Sequence, residues 1–135
     1  WSQVGGANEA ITVVSREEGS GTRDAFQELI MGKSLITERA ILFPSNGAVK
    51  ASISTTPLSI GFLSLGYLDS SIKTLAIDGV EPTPANCKVG KYPVVRPLYF
   101  LTKETPTGKV KDFIDFCLSQ EGQKIVEEEG YLSPK

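Results

Sequence analysis

The chain contains no histidine. That removes the usual general base at neutral pH, the commonest metal ligand and any Ser-His catalytic pair. It contains two cysteines, Cys87 and Cys117, too few to hold a structural zinc ion by themselves. They can form one disulfide or stay as thiols, and free thiols are expected, with Cys117 partly buried on a helix. There is no excess of positive charge: 14 Lys and Arg stand against 16 Asp and Glu, and the basic residues are scattered. Polyanion binders need clustered cations, so nucleic acid is not an expected partner. No apolar run is long enough to span a membrane. The opening residues, Trp1 to Gly6, carry no leader pattern and read like the interior of a longer chain.

What is present is enough for one compact domain. The 135 residues are 40% hydrophobic and 22% charged, outside the disordered and fibrous ranges. The composition never shifts enough to mark a second domain, so residues 1–135 are read as a single one. Ile11 to Ser15 is a β-branched run that predicts a strand. A helical pattern follows from about Ser20 to Met31, with Ala25, Phe26, Leu29 and Ile30 on one face and Gly32 as the stop. Strand, Gly/Ser turn and helix make the α/β arrangement in which ligands collect at the carboxyl ends of strands.

Further along, Ala40 to Phe43 predicts a short strand, and Ser45 or Asn46 caps a helix that ends before Pro57. Ser59 to Ser64 predicts a buried strand whose glycine permits a close approach. Ile72 to Ile77 is another strand candidate. Asp78 to Pro93, with three prolines and two glycines, predicts a loop. Pro97 to Lys103 is apolar and aromatic and predicts the strongest strand after the first. Two helices close the chain, one carrying Val110, Phe113, Ile114, Cys117 and Leu118 behind Thr107 as cap. The other, capped by Ser119, runs to Gly130.

The turn between the first strand and helix, Arg16 to Thr22, concentrates the chemistry. A nucleotide-binding phosphate loop needs lysine directly before the Ser/Thr, but here Gly21 precedes Thr22. A nucleophilic Ser20 on a tight turn resembles a hydrolase elbow, but without histidine no base is singled out. Reversible oxyanion binding fits the residue types. Arg16 offers a planar fork, Ser20 and Thr22 offer hydroxyls, and the amides of Gly21 and Thr22 offer backbone donors. Glu17 and Glu18 sit awkwardly for an anion site, and one of them can pair with Arg16. The residues alone leave two readings of the turn open, an oxyanion site and a simple helix cap.

Several segments in order carry a family resemblance. They are W-S-Q-V-G-G, I-T-V-V-S-R-E-E-G-S-G-T-R-D-A-F, T-T-P-L-S-I-G-F-L-S-L-G-Y, Y-P-V-V-R-P-L-Y and E-G-Q-K-I-V with Gly130-Tyr131. Through them the whole chain resembles the C-terminal portion of phosphate-binding proteins of phosphate ABC transporters. The resemblance implies an α/β, periplasmic-binding-protein-like lobe with a central mixed sheet flanked by helices. The chain would correspond to the second lobe plus the C-terminal helices of a two-lobe protein that buries phosphate between its lobes. Arg16, Ser20, Gly21 and Thr22 become the phosphate contacts of this lobe, and Glu18 an acid that orients Arg16 by a salt bridge.

The same resemblance implies a non-catalytic protein without cofactor or metal. Its partners would be inorganic phosphate and an ABC permease. Its place would be the periplasmic or extracellular face of the cell membrane, with a lipid anchor in the full-length protein. The family's remaining contacts, a Thr or Ser at a helix start, a further serine and a proton-accepting aspartate, are not visible here. Weak phosphate affinity and poor discrimination against sulfate are therefore expected. Exposed apolar surface would drive self-association, as a homo-oligomer or by domain swapping. The alternatives are an envelope lobe that binds another oxyanion or serves in sensing and, in a different class, a serine hydrolase using Ser20.

Overall fold

A computed structural model describes residues 1–134; Lys135, the last residue of the expected domain, lies outside the described residues. The first strand, β1 (Thr12–Arg16), is the centre of the sheet. Its run of Val13, Val14 and Ser15 suits a strand covered on both faces, and Val14 and Ser15 are fully buried. β2 (Ile41–Phe43) pairs with β1 in parallel, with Val14 opposite Ile41 and Arg16 opposite Phe43. β3 (Ser59–Ile60) pairs in parallel on the other side, with Val13 opposite Ile60. The sheet order is therefore β2-β1-β3. Antiparallel pairing occurs as the isolated bridge between Ile77 and Val80.

That order matters for the site. The chain leaves β1 toward one neighbour, then crosses back to the opposite side of β1. In open α/β sheets this reversal opens a crevice at the carboxyl ends of the strands. The turn after β1 and the segment after β3 both face it.

The crossover from β1 begins with α1 (Gly21–Phe26), capped by Ser20, and widens into a π-helical turn over Gln27–Met31. Gly32 ends it at φ 57. α2 (Asn46–Thr55) follows β2 and is capped by Ser45, whose hydroxyl accepts the N–H of Ala48 at 3.1 Å. It contributes Val49, fully buried, to the core. Phe26 of α1 stacks on Phe62 beyond β3, with centroids 4.3 Å apart and planes 10° apart. This closes the helix over the sheet edge. Gly61 sits where β3 leaves the sheet. A Cβ there would stand 2.8 Å from the carbonyl oxygen of Val14 and 3.0 Å from Cδ1 of Ile53. The close approach expected of this glycine is present.

Two strand expectations fail. Ile72 to Ile77 forms only the bridge to Val80, around Asp78 and Gly79 at positive φ. Pro97 to Lys103 joins no ladder and is exposed along its length. Its β-forming side chains are intact, but no neighbouring strand satisfies its backbone. The expected Ser59–Ser64 strand is cut to two residues. The expected loop at 78–93 contains α3 (Pro84–Lys88). Thr83 caps it and Pro84 takes the first helical position, where proline starts helices instead of breaking them.

α4 (Gly108–Leu118) and α5 (Gln120–Glu128) form the expected helical pair. Thr107 stands at the N-cap position of α4 without a side-chain cap bond. Ser119 at the corner accepts the N–H of Gly122 at 3.2 Å. The end of α5 docks on the segment after β3 through glycines: a Cβ on Gly130 would stand 2.6 Å from Cα of Gly66. Both cysteines are free thiols, Cys87 buried and Cys117 half-buried.

Candidate functional site

Arg16 is the last residue of β1, so its side chain emerges at the carboxyl end of the central strand. Its guanidinium is held by three donated hydrogen bonds. Nε donates to the carbonyl of Phe43 at 3.1 Å, Nη2 to the carbonyl of Pro44 at 2.9 Å, and Nη1 to Oδ1 of Asn46 at 3.3 Å. A guanidinium has five N–H groups, so one remains on each terminal nitrogen. The fork is clamped by the end of β2 and the start of α2.

The expected salt bridge from Glu18 is not what orients it. Glu18 is exposed in the turn, and no ion pair between Arg16 and a carboxylate occurs among the described residues. Carbonyls fixed by the sheet hold the fork without neutralising it, and this leaves its charge available to a ligand.

Ser20 is 6% exposed and caps α1; its Oγ accepts the N–H of Arg23 at 3.3 Å. A hydroxyl that accepts in this way still has its proton to donate. The N–H groups of Gly21 and Thr22, the first two of the helix, have no intramolecular partner among the described residues, as helix geometry requires. Thr22 Oγ1 stands 3.2 Å from Ser64 Oγ. The four predicted residues therefore share one turn, and each offers at least one donor there. The helix dipole adds a preference for negative charge at the same end.

Two further arginines surround the turn: from sequence Arg23 could face solvent or a partner or add to the anion field, and Arg96 was not read as a site element. Arg23 folds back and donates from Nη1 to the carbonyl of Arg16 at 3.1 Å. Arg96 lies against Gly21: a Cβ on that glycine would stand 2.6 Å from Nη2 and 2.8 Å from Nη1. The ion pairs found among the described residues, Lys50–Asp69, Lys88–Glu127, Lys111–Asp115 and Lys124–Glu128, all use lysine. The arginines near the turn keep their charge unpaired. The sequence did carry one signal for Arg96, a lone cation inside the apolar run Val94 to Leu101.

The nucleophile reading of Ser20 finds no base: no lysine or carboxylate hydrogen-bonds to its Oγ among the described residues. Two concavities are elsewhere. An open groove of about 730 Å³ runs beside α5 from Leu118 to Ser133, and a hollow of about 420 Å³ lies between α1 and Val95 to Pro97. The second hollow borders the turn through Arg96, but neither concavity is lined by Arg16, Ser20, Gly21 or Thr22.

A parallel α/β lobe with unpaired donors gathered at its topological switch point belongs to the class of ligand-binding lobes. The model of the PBP superfamily domain matches residues 1–121, and the chain belongs to that family. It is 43% identical to the phosphate-binding protein PstS 2 of Streptococcus agalactiae, over 90% of this chain and 45% of that protein. It is 37% identical to the phosphate-binding protein PstS of Bacillus subtilis, over 98% of this chain and 44% of the relative. Among solved structures, it superposes with a TM-score of 0.86 and 40% identity on a phosphate ABC transporter substrate-binding protein from Clostridium perfringens with bound phosphate. The superposition covers 100% of this chain and 56% of that one. An ABC-type phosphate transport receptor from Vibrio cholerae gives a TM-score of 0.81 at 32% identity, over 99% of this chain and 57% of that one. The chain thus spans about half the length of the relatives it matches.

Proposed function

We propose that this chain is the second lobe, with the C-terminal helices, of a two-lobe phosphate-binding protein that delivers inorganic phosphate to an ABC permease at the outer face of the cell membrane. The turn Arg16–Thr22 is this lobe's share of the phosphate site, and it binds without catalysis. The observation that carries the reading is the set of donors with no internal acceptor. They are two N–H groups of Arg16, the hydroxyl of Ser20 and the amides of Gly21 and Thr22, all in seven residues, with the Thr22 hydroxyl, 3.2 Å from Ser64 Oγ, beside them. A tetrahedral oxyanion accepts from several directions at once and satisfies such a set. The phosphate named for the relatives supports the choice of ligand.

The lobe alone binds phosphate weakly, because only one wall of the cleft contributes donors. It also separates phosphate poorly from sulfate. Selection between them uses a carboxylate that accepts the proton phosphate keeps and sulfate lacks. Glu17 and Glu18 point to no such role, being exposed in the turn. Titration of the amide resonances with phosphate and then sulfate tests this. Gly21 and Thr22 should move most, with similar weak affinities for both anions. Micromolar binding of phosphate, or shifts elsewhere only, would refute it.

The surface supports the half-protein reading. A folded monomer of this mass exposes about 6,900 Å², whereas this chain exposes 9931 Å². Tyr99 is 79% exposed and Leu101 94% exposed. In the absence of a first lobe such a surface drives self-association. Sedimentation should show a mass that grows with concentration, and a strictly monomeric chain would contradict it.

A further inference from the structure

Asn46 and Ser64 belong to no turn residue set named above, yet they join it. Asn46 is the first residue of α2, and Ser64 lies beyond β3; both are half-buried. Nη1 of Arg16 donates to Oδ1 of Asn46 at 3.3 Å, Nδ2 of Asn46 donates to Oγ of Ser64 at 3.0 Å, and Oγ of Ser64 meets Oγ1 of Thr22 at 3.2 Å. The chain of bonds starts on one predicted ligand residue and ends on another. It passes through elements that follow all three strands.

The chemistry gives this chain a direction. A guanidinium has donors and no acceptor, so the amide atom facing Arg16 must be oxygen. The other amide atom is then the NH₂ group, and it can only donate to Ser64. Ser64 has one proton. With one lone pair occupied by Asn46, Ser64 can either donate its proton to Thr22 Oγ1 or accept the proton of Thr22; an anion that takes the Thr22 proton as a hydrogen bond selects the first arrangement. Thr22, having received a hydrogen bond, retains its own proton for an outside acceptor. With an anion accepting from Thr22, every group donates the same way, from the cation of Arg16 toward the ligand, and each bond polarises the next.

We propose that Asn46 and Ser64 are positioning residues of the oxyanion site: together they fix the fork of Arg16 and set the hydroxyl of Thr22 as a donor. This rests on the oxyanion reading of the turn. It makes the site selective for acceptor-only oxygens at the position Thr22 faces. A protonated phosphate oxygen offers a hydrogen there and meets a second donor.

The test is a double-mutant cycle on phosphate affinity, read by amide shifts, between Ser64→Ala and Thr22→Val. Ser64→Ala should weaken phosphate binding about threefold to tenfold. In the Thr22→Val background it should have no further effect, because Ser64 acts through the Thr22 hydroxyl. A merely structural Ser64 would weaken both backgrounds equally, and that result overturns the proposal, as does an unchanged affinity in Ser64→Ala. Loss of phosphate binding in Ser64→Ala should also be greater at high pH, where the ligand is less protonated. A flat pH profile speaks against a directed hydroxyl.

If the wild-type chain takes up no phosphate at all, the oxyanion reading fails by itself, and the relay is judged on the Asn46 side-chain amide. The one of its two N–H signals that is donated to Ser64 should be exchange-protected in the wild type and lose protection in Ser64→Ala. If neither signal is protected in the wild type, the relay is overturned.

Discussion

Replacing Arg16 by lysine keeps the charge and removes the fork, and the structure says what each loss should cost. The guanidinium holds the carbonyls of Phe43 and Pro44 and Oδ1 of Asn46. Pro44 is exposed and its carbonyl can return to water. The Phe43 carbonyl keeps a second donor, the N–H of Glu17 at 3.3 Å. Only Asn46 Oδ1 is left half-buried without its partner. The expected loss of stability is therefore small for a buried-strand position, about 1–2 kcal/mol. With a urea slope of roughly 1.5 kcal/mol per molar, the unfolding midpoint should fall by about 1 M. Binding should suffer more. A lysine ammonium can place one donor on an anion oxygen, but not the parallel pair that a fork provides. Loss of one charge-assisted bond, roughly 1.5–3 kcal/mol, corresponds to about tenfold to a hundredfold in phosphate affinity. Arg16→Ala should lose more in affinity, because the charge goes as well. The assay pairs urea unfolding followed by circular dichroism with phosphate titration on the same samples. A lowered midpoint with unchanged affinity would make Arg16 a clamp between β1, β2 and α2 and nothing more. An unchanged midpoint would show that the three bonds do not hold the fork, and the argument for its orientation would fail with them.

Three further outcomes follow from the packing and the charges. Gly61→Ala should destabilise the fold by about 1–3 kcal/mol. The new methyl would press on the Val14 carbonyl in the buried central strand, and a urea midpoint equal to the wild type would disprove that contact. Asp69 is held well below the usual carboxylate range, first by the hydrogen bond from Lys50 at 2.6 Å and then by the side chain and backbone of Ser71. A depressed carboxylate stabilises the fold above its unfolded pKa and loses that contribution as pH falls through the folded value. Lys50→Met should raise the Asp69 titration in a carboxyl NMR titration while Ser71 still holds it below the usual carboxylate range, and its stability deficit should vanish only in strong acid. Cys87, buried and with its thiol pushed up by desolvation, should react with iodoacetamide more slowly than Cys117 in the native protein, and equal rates by peptide mass analysis would contradict its burial.

The parts of the site that could be read from sequence are those made within a few residues. Ser20 before an apolar-periodic segment, Ser45 three residues ahead of Ala48, and Ser119 ahead of Gly122 are all caps whose donor and acceptor lie close in the chain. The placement of Arg16 at a strand end is equally local. The partners of these residues are not. Ser64 meets Thr22, and Asn46 meets Arg16, because β3 returns to the far side of β1. Nothing in the spacing of those residues announces that order. Glu18 shows the reverse error: the family resemblance implied an orienting salt bridge, but no ion pair joins it to Arg16 among the described residues, and the Phe43 and Pro44 carbonyls and Asn46 hold the fork instead.

The Pro97–Lys103 segment shows a second limit, and it bears on the function. Its composition gave the strongest strand expectation after β1, yet β1 is the core of the sheet and this segment is bare. Strand propensity describes a side-chain surface suited to a pleated, half-buried neighbourhood; it cannot supply the neighbour. Leu98, Tyr99, Phe100 and Leu101 are all exposed, and Phe100 makes an edge contact with Phe113 of α4, at 6.4 Å between centroids. This apolar segment joins no ladder among the described residues and stays exposed. Arg96 stands at its head, against Gly21 of the oxyanion turn. If the segment pairs with a first lobe, as the half-protein reading holds, then closing the two lobes also moves the head of that strand. Arg96 becomes the residue through which the pairing of the lobes and the charge over the turn are coupled. Arg96→Gln should then leave the isolated lobe's fold intact and alter phosphate binding more in the two-lobe protein than in this chain. Equal effects in both would remove the coupling between the lobes from Arg96, and no effect in either would remove Arg96 from the site.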